Sequence, residues 1–552
     1  MPTGAKKRVV IDPRPHVAPP QGKLALRHRS LDEKRVLLFD NGKLHPSYGH
    51  YRAVFDVLEQ ELRQRWPKIE LIHRAQNLLI GDLDRLRQTA NEIIDTGANA
   101  VVFALCDTGV SQPNTILAAE LETRGIPTSL ICQGIGLRVA ASTAAQLIPG
   151  LPFSSIDAIR IATYEQVASE ASAIAGDVVG GLIESEAALI DRARSYPVVM
   201  IVPGDSRGFV ELGSDDADGE FTDLMSKSGL GDGLPLLAPY PERVEAMLRG
   251  AGVDAGAIVW PPTPSRTTAL TARDVAIVAV AAGCRPSAMP VVLTAYRAMS
   301  DPRFRLFQAA ITTHPSGTLV LVSGPATKEL GLASGAGCLG SGFPANATIG
   351  RAVSLAYSFC LGVRLGSSDL SIQGSPAEYS YCCAENIDES PWPGLHAELH
   401  GPDVTTVTVL KCEGPHNVMD NLSMTPESLL LTVSSTASTL GSNNTYNPNA
   451  QTVVFLNPEH AAIIAAAGWS KSDVKRFLFD VTRQERARLN GRGSVPKWPA
   501  WFGALPRTPI AETADDILVV VAGGHGPQSQ VAIPWGLSRG ITLPLHPYPD
   551  RR

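Results

Sequence analysis

RVLLFDNGKLHPSYGHYRAVFDVLEQELRQRWPKIELIH (35–73) decides the fold: it reads as strand, polar turn, helix and second strand. VLLF (36–39) is a continuous apolar run with no alternation, as a strand covered on both faces requires, whereas HYRAVFDVLEQELRQR spaces its apolar residues at helical period. The order repeats downstream in a helix LDRLRQTANEIIDTG (83–97), a strand NAVVFALC (99–106), a helix TILAAELETRG (115–125) and a strand PTSLIC (127–132). Strands alternating with helices predict a doubly wound parallel sheet, and the chain is α/β.

Outward from that core, the chain of 552 residues is long enough for about three domains. A basic extended arm (1–30) carries seven Lys/Arg and five prolines; it is either a strap on the body or a partner subunit, or an anion- or nucleic-acid-binding tail. A flavodoxin-like domain (31–205) follows, containing a long helical segment (163–195) that must tolerate or break at Gly180–Gly181, and a strand PVVMIVPG (197–204). After a linker (206–230) come a Gly/Cys-rich α/β domain (231–430) and a C-terminal α/β subdomain (431–552). TLVLVSGP (318–325), TVVFLNP (452–458) and ILVVVAGGHG (517–526) are short apolar runs ending in Gly or Pro; they predict repeated strand–loop–helix units in a mixed α/β second half. KSDVKRFLFDVTRQERARL (471–489) reads as one long helix.

Hydrophobic residues make up 44% and charged residues 18%, which excludes a largely disordered chain. The formal charge of −6 lacks the basic footprint of a nucleic-acid binder. No apolar stretch is long enough to cross a bilayer, and the opening MPTGAKKRVVIDPRPH has no apolar run of a secretory signal. Eight irregularly spaced cysteines do not form a disulfide framework, so a cytoplasmic protein is expected. Lacking CxxC pairs and nucleotide signatures, the sequence predicts no metal site and leaves any cofactor unknown. The expected partners are a small carboxylate or other anionic molecule and further copies of the chain, a homo-oligomer.

In open parallel sheets ligands sit beyond the carboxyl ends of strands. The first strand ends in Asn41 and Lys43, the third in Asp107, Thr108 and Ser111, and a helix opens near Pro113, so these residues are candidate anion binders. FDNGK (39–43), CDTGVS (106–111) and AELETRGIPT (119–128) resemble the UGSC family of selenocysteine- or cysteine-containing proteins, which resemble component B of the glycine/proline reductases. The resemblance covers about residues 35–200. Its redox motif is a Sec/Cys-Gly-Ser-Cys turn after an aspartate. Asp107 and Gly109 match that motif, whereas Thr108 and Ser111 stand at the two redox positions, where neither a thiolate nor a disulfide can form.

The second half resembles the uncharacterised domain that accompanies this family, through GAGCLGSGFPANATIGRA (335–352), YCCAENIDESPWPGLH (381–396) and CEGPHNVMD (412–420). The glycine-rich loop enters a helix near Ala347–Thr348 with Asn346 as its cap, making Asn346 and Thr348 candidate anion ligands. Cys338, in that loop, is a candidate nucleophile of lowered pKa. His416, in a turn with Glu413, Asn417 and Asp420, is the leading acid–base candidate, and Glu385 offers a further carboxylate. The expected function is an enzyme acting on a small carboxylate-bearing molecule by lyase, hydrolase or isomerase chemistry. The alternatives are a thiol-dependent reductase-like enzyme using Cys338 and a non-catalytic binding or assembly protein descended from a redox enzyme.

Overall fold

The computed structural model describes residues 8–14, 20, 22–78, 83–107, 109–198, 208–213, 216–262, 268–364, 369–492, 502, 505–536 and 538–545. After β1 (Arg8–Ile11) come β2 (Arg35–Asp40), β3 (Glu70–Ala75), β4 (Ala100–Cys106), β5 (Thr128–Gln133) and β6 (Phe153–Ile156). These last five form one parallel sheet in the order β3-β2-β4-β5-β6. It is the doubly wound arrangement that the opening stretch predicts, with the first strand inside and a reversal of order beside it. Apolar clusters cover both faces: Val36, Leu38 and Val102 look one way, Leu37, Phe39, Val101 and Phe103 the other.

Helix Tyr164–Ile183 runs through Gly180–Gly181 without a break. A Cβ at Gly181 would lie 2.7 Å from Ser129 Oγ and 2.9 Å from Pro152 Cβ, so the glycine admits close packing of helix on sheet. The segment breaks later, at Glu184, and Ser185 caps a second helix, Glu186–Ala193. Most of the run PVVMIVPG lies outside the described residues.

The arm touches both halves of the chain. β1 pairs antiparallel with β7 (Phe209–Leu212), and Val10 and Ile11 join the apolar core of the second half. Residues 22–28 instead lie on the parallel-sheet domain. Glu122, 1% exposed, accepts from Ala25 N at 2.7 Å and pairs with the buried Arg27 at 2.7 Å.

In the second half, the ribbon of β8 (Ile258–Trp260) and β9 (Leu270–Thr271) precedes β10 (Gly317–Ser323), β11 (Cys382–Ala384), β12 (Thr406–Cys412), β13 (His416–Met419) and β14 (Thr452–Leu456). The ribbon of β15 (Arg483–Glu485) and β16 (Arg507–Pro509) precedes β17 (Ile517–Val521), β18 (Gln528–Ala532) and β19 (Ile541–Pro544). Two four-stranded sheets result, ordered β11-β10-β12-β19 and β17-β14-β18-β13. Each has a central strand with a parallel neighbour on one side and an antiparallel one on the other. The fourth strands are exchanged: β13, which follows β12, pairs with β18, and β19, which follows β18, pairs with β12.

TLVLVSGP and TVVFLNP thus begin two copies of one unit, residues 317–419 and 452–544, as their similar endings suggest. ILVVVAGG is not a third copy; it is the parallel neighbour inside the second. Leu319, Leu321, Leu410, Val453, Phe455 and Val520 fill the layer between the sheets. Helices Ala272–Ala281, Met289–Met299 and Pro344–Leu361 cover the outer face of the first sheet. Helices Pro426–Ala437, Pro458–Ala466 and Lys471–Val481 cover the second. The last of these is shorter than predicted. It stops at Val481 and Arg483–Glu485 pairs as a strand with Arg507–Pro509, because Ser470 and Asp473 cap only its start while tertiary pairing claims its end.

The Glu122 ion pair is the arm's anchor on the first domain. Glu122→Ala strands the Arg27 guanidinium and the Thr128 and Ala25 amides, and should cost about 3–5 kcal/mol. Thermal unfolding, with proteolysis within residues 15–28 as a second readout, checks it.

Candidate functional site

At the strand ends of the parallel sheet, Asn41, Lys43, Asp107 and Ser111 come together as the sequence predicts; Thr108 lies outside the described residues. Lys43, Asp107 and Ser111 are tied to one another through the Asp107 side chain and carbonyl. Lys43 Nζ meets Asp107 Oδ2 at 2.7 Å and stands 4.8 Å above the Tyr48 ring. Asp107 Oδ1 accepts from Gly109 N at 3.1 Å, and Ser111 Oγ donates to the Asp107 carbonyl at 2.5 Å. Asn41 is fully buried; its amide donates to Leu105 O at 2.6 Å, while its Oδ1 has no hydrogen-bond partner among the described residues. Gly136 makes the assembly possible, because a Cβ there would lie 2.6 Å from Ser111 Oγ and press on the Cys106 carbonyl.

Residues 9–184 match the UGSC family. The first domain is therefore a UGSC domain, and no curated protein matches the chain. In this UGSC domain the turn after β4 keeps the aspartate but carries no sulfur at the described position 111, and the Lys43 ammonium is paired with Asp107.

The second half disperses several of the sequence candidates. His416 and Asn417 lie exposed on the edge strand β13, and Asn417 Nδ2 donates to Gln528 Oε1 at 2.5 Å. Glu413 does not reach His416. It bonds His314 Nε2 at 2.7 Å, because the chain turns at Gly414–Pro415 and carries His416 off to the other sheet. Asp420 is occupied in holding the loop before Pro426–Ala437, accepting from Ser423 Oγ at 2.8 Å and Thr432 Oγ1 at 2.6 Å. Thr348 donates back to Pro344 O at 2.7 Å on its own helix. Asn346 is not the helix cap, since the helix begins at Pro344. Its buried amide instead clamps the glycine-rich loop, accepting from Ala333 N at 2.9 Å and donating to Ala333 O and Cys338 O, each at 3.0 Å.

Glu385 sits in a closed polar network between the sheets. It is 1% exposed, its Oε2 accepts from Ser323 Oγ at 2.5 Å and from Leu395 N at 2.7 Å, and Lys471 Nζ lies 3.5 Å from Oε1. Ser323 Oγ also meets His396 Nδ1 at 2.7 Å. A serine, a histidine and a glutamate are thus adjacent, but the carboxylate holds the serine rather than orienting the imidazole, and Ser323 is fully buried. The geometry is that of a brace joining β10, β11 and helix Lys471–Val481. Trp392 closes its rim through Nε1 to Trp469 O at 2.9 Å.

A cleft of about 1410 Å³ opens between Arg138 of the UGSC domain and the first sheet's helical face, and its wall includes His314, Thr318, Tyr357, Asp369 and Lys411. Lys411 is the unusual residue. It stands in the otherwise uncharged strand TVTVLKC and is 6% exposed, where lysine is rarely found without a partner. Register places it opposite Thr318. Its ammonium lies 4.6 Å from the Tyr357 ring, and among the described residues no carboxylate is within ion-pair distance. Thr318 Oγ1 and Tyr357 OH meet at 2.7 Å. Burial raises the Asp369 carboxyl above its ordinary pKa, only partly countered by the Ser371 amide and the Lys411 charge. Glu413 follows Lys411 by two residues, a spacing of about 7 Å on the same side of an extended chain. His314 Nδ1 is buried with no hydrogen-bond partner among the described residues. The sequence carried one signal for this place, the lone charge in TVTVLKC. Among the described residues no group of three or more His, Cys, Asp and Glu could hold a metal ion, and no helix is long and apolar enough to cross a membrane.

The network around Glu385 predicts a structural loss. Glu385→Gln should lower stability by about 1–2 kcal/mol by weakening the bonds to Ser323 Oγ and Leu395 N, read as a drop in melting temperature. Lys471 keeps its ion pair with Glu398 at 2.6 Å in that variant, so the loss should stay smaller than that of Lys471→Met, which leaves both carboxylates without it.

Proposed function

We propose that the chain is an enzyme that binds a small carboxylate-bearing molecule in the cleft and transfers a proton on it. The observation that carries the reading is Lys411, 6% exposed on a cleft wall and, among the described residues, with no carboxylate within ion-pair distance of its ammonium. Desolvating an ammonium costs several kcal/mol, and an anionic ligand offsets that cost where the protein itself does not. The phenol of Tyr357 and the hydroxyl of Thr318 stand beside it as neutral hydrogen-bonding groups for the same carboxylate.

Acid–base work is assigned to His314. Glu413 at 2.7 Å holds its Nε2 and fixes the ring, leaving Nδ1 as the atom that takes or returns a proton. This moves the chemistry expected of His416 and Glu413 onto His314 and Glu413 and keeps the reaction class at lyase, hydrolase or isomerase. A further reading, thiol chemistry at Cys338, has its own support, given below.

Binding of acetate, malonate, succinate and oxalate to the full chain, measured by calorimetry, tests the anchor. Lys411→Met should weaken the best of them by about tenfold or more while leaving the melting temperature near that of the parent. Unchanged affinity in Lys411→Met overturns the reading. Solvent-deuterium exchange into the bound carboxylate, followed by NMR, tests the proton transfer: His314→Gln should slow it by about 10²–10⁴-fold with affinity retained.

A further inference from the structure

A second chemistry stands on the opposite face of the same sheet. The loop 333–343 carries Cys338 beneath an exposed glycine-rich surface; the sulfur-bearing residue is 4% exposed while Ala336, Gly337 and Gly340–Gly342 face solvent. Three ties hold it in place. Ala384 N donates to Ala333 O at 3.1 Å, Gly523 N donates to Ser334 O at 2.8 Å, and Asn346 binds both ends of the turn. Gly524 must be glycine for this approach, since a Cβ there would lie 2.8 Å from Ala336 Cβ.

Directly under the loop is Cys383 of β11. It is fully buried, pairs in register with Leu321, and faces the same inter-sheet layer as Cys338, whereas its neighbour Cys382 faces the helical core on the other side. The two residues pack in one buried cluster, close enough for each sulfur to shift the other's titration, and backbone N–H groups of Gly523, Cys338 and Leu339 act on the Cys338 sulfur as well.

We propose that Cys338 and Cys383 form a dithiol site that a hydroperoxide oxidises and an external dithiol reduces. Cys338 is the attacking sulfur and Cys383 the resolving one. The Cys338 thiolate displaces hydroxide from the peroxide O–O bond, giving a sulfenic acid and, with one proton, water. The Cys383 sulfur then displaces the sulfenic oxygen as a second water, closing the disulfide. Two thiols and one hydrogen peroxide thus yield one disulfide and two waters. A dithiol reverses the state by exchange through a mixed disulfide and leaves oxidised.

The asymmetry of the pair agrees with those roles. The hydrogen bond from Cys383, with the backbone donors, holds the Cys338 thiol below its ordinary pKa against the cost of burial. The same shared proton, together with burial, pushes Cys383 well up. Cys284 and Cys412, buried without such donors in sufficient number, are each pushed up to about 12. Of the two sulfurs, Cys338 is therefore the one that gives up its proton more readily.

The test treats the reduced full-length protein with hydrogen peroxide and maps cysteines by alkylation and mass spectrometry. A linked pair of peptides joining 329–351 to 365–411 is expected, persisting in Cys382→Ala and lost in Cys338→Ser. Dithiothreitol should restore both thiols. In Cys383→Ser the sulfenic acid at 338 should accumulate and be trapped by dimedone. Before oxidation, iodoacetamide should label Cys338 at least about tenfold faster than Cys412. Wild-type protein in which 338 and 383 both stay alkylatable after peroxide, or in which the link forms through Cys382, overturns the proposal. Lys411→Met should leave all of these readouts unchanged, which separates this site from the cleft.

Discussion

The antiparallel register of β10 against β12 is the constraint on which the second half turns. It sets Gly317 opposite Cys412 and Thr318 opposite Lys411. Gly317 has no room for a side chain, since a Cβ would run into the Ala377 carbonyl, so the pairing cannot slip without a collision. A slip of one residue would turn every side chain of β12 over, sending the Lys411 charge into the apolar layer between the sheets. With the register held, alternation does the sorting. Lys411 faces the cleft, while Leu410 and Cys412 face the second sheet.

The exchanged fourth strands make the two copies of the unit inseparable. β13 leaves the first copy to finish the second sheet, and β19 leaves the second copy to finish the first. Neither sheet closes its hydrogen-bond ladder without chain from the other, and both bury one face in the common layer. This is why the turn Glu413–Gly414–Pro415 matters more as a crossing than as a catalytic loop. It leaves Glu413 beside His314 and takes His416 to an exposed edge. An ammonium on the cleft wall and two buried cysteines thus come to lie on the two faces of one sheet.

The UGSC domain keeps its strand-end charges paired and meets the cleft elsewhere. Its strand ends gather the polar residues that a doubly wound fold gathers there, yet the Lys43–Asp107 pair and the Ser111 bond to its own turn close the cluster on itself. Its share in the cleft is the start of helix Gly134–Leu147 with Arg138. The arm strengthens the join, since β1 belongs to the core of the second half while Arg27 is held by Glu122 of the first.

Local pattern was enough to read the parallel sheet, because its strands are short, wholly apolar and separated by amphipathic helices whose periods differ from theirs. It was also enough to notice that 318–325 and 452–458 are alike. The amino-acid order by itself thus determined the α/β class, the polar strand ends and a lone lysine in an apolar strand. Which histidine meets Glu413, which face Lys411 takes, that Glu385 is a buried brace, and that Cys338 lies on Cys383 rather than alone in a loop were decided only by tertiary structure. Those facts depend on pairing between strands roughly a hundred residues apart, and on which of two sheets each strand joins. Hydrophobic period specifies that a segment is buried; it does not specify against what.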